Sequence, residues 1–235
     1  MERLIHFEIC ALPLGRAFLL RVRRCNLNFY IRDLHFGNKN ALAFDNRPFG
    51  TVDEMNQSLI DNWNKTVTAA DHVYILGDFC WGKAKDWPAI LQQLSGNKHL
   101  IRGNHDIRVP MQPDVRRYFV DVADYKEIKD RDQHLVLSHY PIIAFKNMYY
   151  GWMHLYGHVH ETAEEKMVSY LFRTVESYYE FPQRAFNVGC MLPYMHYTPR
   201  TLEEIVEGGR QYGLAGGHGA APETFSEEAA EEGET

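Results

Sequence analysis

From Asn26 onward short apolar runs alternate with polar loops, and the period of the apolar positions changes from run to run. Residues 28–33 (NFYIRD) read as a strand ending in a polar loop, and 71–76 (DHVYIL) as a second one closed by Gly77-Asp78. Between them, 52–68 carries Met55, Leu59, Ile60, Trp63 and Val67 at helical spacing. Residues 86–94 predict a further helix, and 99–102 (HLIR) a third strand that runs into Gly103-Asn-His-Asp106. This is a βαβαβ rhythm. Farther on, 134–138, 152–156 and 184–188 predict short strands separated by loops, with 201–207 the one clear helix, a pattern that points to mixed sheets. From Gly213 the chain is rich in Gly, Ala and Glu with almost no large apolar side chain, so nothing offsets its ordering entropy and a disordered tail is predicted.

Of the 235 residues 45% are hydrophobic and 24% charged, which excludes a disordered, fibrous or collagen-like protein. The pattern fits one domain over residues 26–210, with an N-terminal extension (1–25) and an acidic tail (211–235). Net charge is -6, but six Glu and no Lys or Arg fall beyond Gln211, so the folded part carries 25 charges of each sign. Such neutrality argues against wholesale coating of nucleic acid and leaves only local basic surfaces. The four cysteines are scattered with no C-x-x-C pair, and the longest apolar run, 9–20, is broken by Pro13, Gly15 and Arg16. Neither disulfide staples nor a membrane helix is expected, and the predicted location is the cytoplasm. In the extension Arg16, Arg21, Arg23 and Arg24 follow the start of the apolar stretch and no small-residue cleavage site is present, so it stays open between a misplaced start, a leader and an added helix.

Metal-binding side chains collect directly behind the predicted strands, as Asp33-Leu-His35, Gly77-Asp78, Gly103-Asn104-His105-Asp106, Ser138-His139 and Gly157-His158-Val-His160. Strand ends let a rigid scaffold aim side chains at one point without burying charge in the core. Singly, each block has an ordinary reading: Asp and Asn form turns, Gly permits them, and a lone His packs. Gly-His-x-His is more telling, because imidazoles two apart point the same way from an extended segment. Five of the twelve His fall inside these blocks, with three carboxylates and Asn104, and coincidence explains that badly. Asp, Asn and His without Cys suit Mn, Fe, Zn or similar ions, and the set exceeds what one ion takes. Two ions sharing a carboxylate, roughly 3.5–4 Å apart, would use it fully.

In this order, D-x-H, G-D, G-N-H-D, H and G-H-x-H, the blocks resemble the calcineurin-like metallophosphoesterases over residues 27–207. The resemblance implies an α/β fold, a four-layer αββα sandwich of two mixed β-sheets flanked by helices, with a dimetal site at the strand ends. It implies that Asp33, His35 and His160 hold a first ion, that Asp78 bridges, and that Asn104, His139 and His158 hold a second. The expected cofactors are two divalent ions, manganese first, with iron, zinc or nickel as alternatives. Asp33-Leu-His-Phe-Gly37 with Asn46-Arg-Pro-Phe49 further resembles a compact bacterial and phage subgroup of these enzymes.

A water held between two divalent ions has its pKa drawn from 15.7 toward about 7, so hydroxide is the expected nucleophile at phosphorus. His105, next to Asn104, is the expected general acid for the leaving oxygen, with a structural hydrogen bonder as its other reading. Many members of the family extend the second block to G-D-x-x-D, whose last Asp charges that His; here Trp81 stands there. This leans toward leaving groups that need less protonation, some diesters included, and makes Asp106 the candidate substitute partner. Trp81 reads equally as a core aromatic. Arg47, in the turn Asn46-Arg-Pro-Phe49, is the expected phosphate contact, while solvation is the default for Lys39, Arg102 and Arg108. His154 reads as packing or as a support behind the ligands, and Asn187 and Gly189 as a strand end beside the cavity.

The expected function is metal-dependent hydrolysis of a phosphomonoester or phosphodiester, with a small phosphorylated substrate or nucleotide as partner. The alternatives are a nuclease or nucleotide phosphodiesterase, a non-catalytic metal-binding scaffold of the same fold, and a phosphoprotein phosphatase. Neutrality and the lack of an aromatic-plus-basic stripe count against long polynucleotides. The complete ligand set counts against the scaffold, and the chain is short for the phosphoprotein phosphatase.

Overall fold

The structure, a computed structural model, describes residues 7–14, 17–24, 26–160 and 162–211; the predicted tail lies outside them apart from Gln211. Strands β1 (Phe7–Leu14) and β2 (Ala17–Arg24) pair antiparallel from Phe7↔Arg24 to Leu14↔Ala17. The extension thus contains a pair of antiparallel strands rather than the added helix among its readings.

Strands β3 (Asn28–Ile31), β4 (His72–Ile75), β5 (Asn97–Ile101) and β6 (Phe119–Ala123) form a wholly parallel sheet in that order. A second sheet, ordered β10-β9-β8-β7, contains β7 (Tyr125–Asp130), β8 (Gln133–Ser138), β9 (Met153–Tyr156) and β10 (Ala185–Asn187). Only β7 and β8 pair antiparallel. One sheet is therefore parallel and one mixed, where the resemblance implies two mixed ones. The reason is local: α2 (Val52–Thr66) and α3 (Trp87–Leu91) are crossovers that return the chain in the same direction.

One apolar cluster joins the sheets, with Ile31, Val73, Ile75 and Leu100 from the first and Leu135, Leu137, Leu155 and Phe186 from the second. Helix α2 adds Met55, Leu59 and Trp63 to it, and α3 adds Trp87 and Leu91. The other face of the second sheet offers Val136, Tyr156 and Ala185 to α5 (Ala163–Tyr179), which buries Val168 and Phe172 against them. The sequence reading gives no helix here. Its signals are present: Thr162 caps it by accepting from the Glu164 N–H, Glu164 and Glu165 occupy the first turn, and Val168, Phe172 and Val175 share a face. A run of Tyr, Thr, Val and Phe with strand propensity hides them. Helices α1 (Lys39–Phe44) and α4 (Pro113–Arg116), with β6 and β7, also fall outside the predicted elements, and α6 (Leu202–Gln211) closes the described chain. Among the described residues no helix is long and apolar enough to cross a membrane.

The sheets are tied together at one end. Arg32, just past β3, donates its N–H to Val188 O at 3.1 Å and accepts from the Cys190 N–H at 3.2 Å, both just past β10.

In β9 the buried His154 has Nδ1 3.0 Å from Val136 O and accepts at Nε2 from the Ile142 N–H at 3.0 Å, which requires the neutral ring. Burial holds its pKa down to about 4. Its contribution to stability is therefore full above the unfolded pKa of about 6.5 and is lost as pH falls toward 4, where the unfolded chain takes up a proton that the folded one resists. His154→Gln can donate and accept at the same two places without titrating. We expect it to reduce the drop in unfolding free energy between pH 6.5 and 4 by up to about 3 kcal/mol in denaturant titrations. An unchanged profile refutes the neutral assignment.

Candidate metal centre

The motif blocks all follow the C-terminal ends of strands: Asp33 and His35 behind β3, Asp78 behind β4, Asn104 and His105 behind β5, His139 behind β8, and His158 and His160 behind β9. Within each parallel set the strands point the same way, so their loops gather at one edge, and the Arg32 bonds join the two edges. The loops are laced to one another, with the Asp33 N–H donating to Gly77 O (3.1 Å), His35 N–H to Asp78 O (3.0 Å) and Gly157 N–H to His139 O (2.8 Å). Asp33, His35, Asp78 and His158 adopt left-handed backbones, with φ of 51°, 48°, 53° and 72°. Such conformations cost free energy in residues other than Gly, and they concentrate at functional sites. Gly103 serves by its size: a Cβ there would lie 2.6 Å from Asp78 N and against Asp78 Oδ1, so only glycine lets the third block approach the second.

Asp33, His35 and His160 offer ligand atoms within 4.8 Å of one another, as do Asp33, Asp78 and His139. His160 Nε2 lies 3.5 Å from Asp33 Oδ2, and Asp78 Oδ2 lies 3.9 Å from His35 Nε2 and 3.7 Å from His139 Nε2. Asn104 Oδ1 lies 3.0 Å from His139 Nε2 and 3.2 Å from His158 Nδ1, distances that also serve hydrogen bonds. Two ligand atoms on one ion, at bonds of roughly 2.0–2.2 Å, sit roughly 3–4 Å apart. The side chains expected as ligands therefore converge at coordination spacing.

The unmet polar atoms point the same way. Asp33 Oδ1 and both ring nitrogens of His35 are buried and make no hydrogen bond among the described residues. A divalent cation would satisfy the carboxylate oxygen and one imidazole nitrogen, which would otherwise each carry a desolvation penalty. Burial lowers the pKa of His35, helped by the nearby Arg47 charge, that of His158, and that of His139 to about 4. Neutral imidazole is the form that ligates.

Two expected roles are overturned by where the side chains go. Arg47 does not face a substrate: it is buried, with Nε and one terminal nitrogen on Asp45 Oδ2 (2.9 and 2.7 Å) and further bonds to Asp33 O (2.7 Å) and Leu34 O (3.0 Å). It braces the first block from behind. Asp106 does not charge His105: it is buried under the loops and accepts from the N–H groups of Asp78 (2.6 Å), Gly103 (3.0 Å) and Phe79 (3.2 Å). Burial pushes its carboxyl up to about 7, the Gly103 N–H opposes this, and the charge of Asp78 adds to it. Trp81 is no core residue either, being 47% exposed with its indole 4.6 Å from the His105 ring. His105 itself lies at the edge, its Nε2 4.0 Å from Asp78 Oδ2, and no other carboxylate is within ion-pair reach of it among the described residues. Of the remaining cations, Arg102 is held by Asp124 in a two-point pair (2.7 and 2.6 Å).

Several contributors carry no motif. Asp45 accepts at Oδ1 from His160 Nδ1 (2.7 Å) while Arg47 holds its other oxygen, the carboxylate support that fixes a ligating imidazole. Arg32 pairs with Asp33 Oδ2 and donates to Asn187 Oδ1 (3.1 Å from Nε), and Asn187 in turn donates to Glu165 Oε2 (2.9 Å) on α5. Arg32 adjoins the first block, yet its partner Asn187 stands 155 positions away and leaves no local signature. Arg47→Ala would leave the Asp45 carboxylate buried without its cation, and we expect a loss of about 3–5 kcal/mol, seen as a lowered Tm. Arg47→Lys should recover only part, because one ammonium cannot span Asp45 and two carbonyls. An unaltered Tm in Arg47→Ala would reopen the substrate role.

No family model matches the chain. Over 183 residues it is 35% identical to an uncharacterized protein, MJ1445, of Methanocaldococcus jannaschii, a match covering 76% of this chain and 89% of that protein. It is 31% identical over 133 residues to the Gene 66 protein of Mycobacterium phage L5, covering 49% of this chain and 64% of the phage protein. Among solved structures it is similar to AQ665 from Aquifex aeolicus, a protein of unknown function, with a TM-score of 0.58 and 23% identity over 78% of this chain and 99% of that one; the likeness is one of fold.

Proposed function

The chain belongs to the family of MJ1445 from Methanocaldococcus jannaschii, and we propose that it is a metal-dependent phosphoesterase with the four-layer calcineurin-like sandwich. The observation that carries this reading is Asp78, whose Oδ2 lies between the imidazoles of His35 and His139 with Asp33 in reach of both groups. Asp33, His35 and His160 would hold one divalent cation and Asn104, His139 and His158 a second, with Asp78 shared. Bound there, the cations would acidify a water between them and offset the charge that builds on phosphorus.

The chain's own residues supply the rest. Asp45 fixes the ring of His160, and Arg32 neutralises Asp33 from beneath. Asp106 clamps the Gly77-Asp78 loop to the Gly103 turn, which holds Asp78 and Asn104 in one frame. His105 donates a proton to the leaving oxygen from the rim. Asp78, at 4.0 Å, is the one carboxylate within ion-pair reach of it among the described residues.

The test is metal content of purified protein, followed by hydrolysis of an aryl phosphomonoester and the corresponding diester. We expect activity on at least one, lost on chelation and restored by manganese. A protein inert toward both with manganese supplied would overturn the proposal.

A further inference from the structure

A cleft of about 660 Å³ opens beside His105, lined by Cys80, Trp81, Lys83, Lys85 and Asp86 as well as His105 itself. Its size suits a small organic ligand, for which roughly 300–1,000 Å³ is usual. Its lining joins two features rarely left idle. The first is a half-exposed indole, its backbone bonded through the Trp81 N–H to Phe36 O at 2.8 Å and its ring 4.6 Å from that of His105. The second is a pair of exposed lysines, Lys83 and Lys85, neither of whose ammonium groups has an acidic partner among the described residues. Asp86, the one carboxylate in the lining, has an oxygen engaged by the Lys83 N–H at 2.9 Å. Two more exposed aromatics stand on other sides of the metal ligands: Phe44, 5.1 Å from the His160 ring, and Tyr140, 4.6 Å from that of His158.

A planar apolar face beside unpaired cations recognises a ligand that is aromatic at one point and anionic at another. We infer that the cleft is a leaving-group subsite for a mononucleotide ester: the base stacks on Trp81 and a second phosphate meets Lys83 and Lys85. The scissile phosphate would then lie over the Asp78 centre. This rests on the phosphoesterase reading for the scissile bond, while base and phosphate recognition belong to the cleft itself. In the reaction water forms the new P–O bond, the ester P–O bond breaks, and the nucleotide oxygen takes the proton of His105, which one of the water's protons replaces. The neutrality of the folded part fits a single nucleotide better than a long strand.

Calorimetry on the full chain, with and without manganese, tests this with thymidine 3′,5′-bisphosphate against abasic deoxyribose 3,5-bisphosphate. We expect the nucleotide to bind at least about tenfold tighter than the abasic compound, as stacking on one aromatic ring allows. Trp81→Ala should bring that ratio to about one, and Trp81→Phe should keep most of it. The double variant Lys83→Met/Lys85→Met should weaken both compounds alike and flatten the salt dependence of Kd. A wild-type ratio near one, or a ratio that survives Trp81→Ala, overturns the subsite. A thymidine octamer binding more than about tenfold tighter than the bisphosphate overturns the mononucleotide in favour of a strand. Base discrimination without hydrolysis of any ester in manganese would sink the phosphoesterase reading alone, and aryl-ester hydrolysis without discrimination would sink the subsite alone.

Discussion

Asp78→Asn is expected to abolish ester hydrolysis, by at least about a thousandfold, because it removes the anionic ligand shared by the two proposed cations, without which the water would keep a pKa near 15.7 instead of about 7. The substitution is nearly isosteric. Asp78 Oδ1 accepts from the His105 N–H at 3.1 Å, and a carboxamide oxygen keeps that bond. What goes is the negative charge between His35 and His139, so the purified variant should also hold less metal. Folding should not suffer, since the charge of Asp78 is one of the causes that raise the Asp106 carboxyl, and its loss relieves that repulsion. The decisive measurement is therefore a set of three: rate, metal content and the Tm of chelated protein. Wild-type rate and metal content in Asp78→Asn would falsify its role as a ligand; His158→Ala should lose activity in the same way.

His105→Ala should cost about a hundredfold or more on an alkyl phosphate ester, within the range of about 10²–10⁴ that a positioned acid supplies. On a nitrophenyl ester, whose leaving group departs without a proton, the loss should be at most about tenfold. The contrast matters because His105 has a second possible role, the packing of its ring on Trp81, which alanine removes while keeping the backbone N–H on Asp78 Oδ1. Loss of that support would slow both esters equally, so equal losses would make His105 a positioning residue.

The motif blocks are legible in the sequence because each is placed by the end of its own strand, a local event, and the βαβ rhythm that sets those strands parallel is equally local. The direction of a side chain within a loop is not. Arg47 and Asp106 adjoin the motif loops, but one turns inward to Asp45 and two carbonyls, and the other turns beneath its own loop to three N–H groups. Asp45 escapes notice because its partner His160 lies 115 positions on, and the link from Arg32 through Asn187 to Glu165 depends on a helix that the mixture of β-branched and aromatic residues conceals. Trp81 and the two lysines after it stand together in the sequence as W-G-K-A-K, yet only the cleft shows that they share a face with His105.

The peptide of Arg32 is gripped from both sides by the chain beyond β10, and Asp33 is the next residue. Sliding one sheet against the other would break those bonds and carry Asp33 away from His160, so breathing between the sheets is incompatible with an assembled centre. Any gate for entering and departing molecules must then reside in the outer segments that bear Phe44, Trp81 and Tyr140. The amide protons of Arg32 and Cys190 should accordingly exchange with deuterium as slowly as those of the innermost strands, exposed only when the whole domain opens.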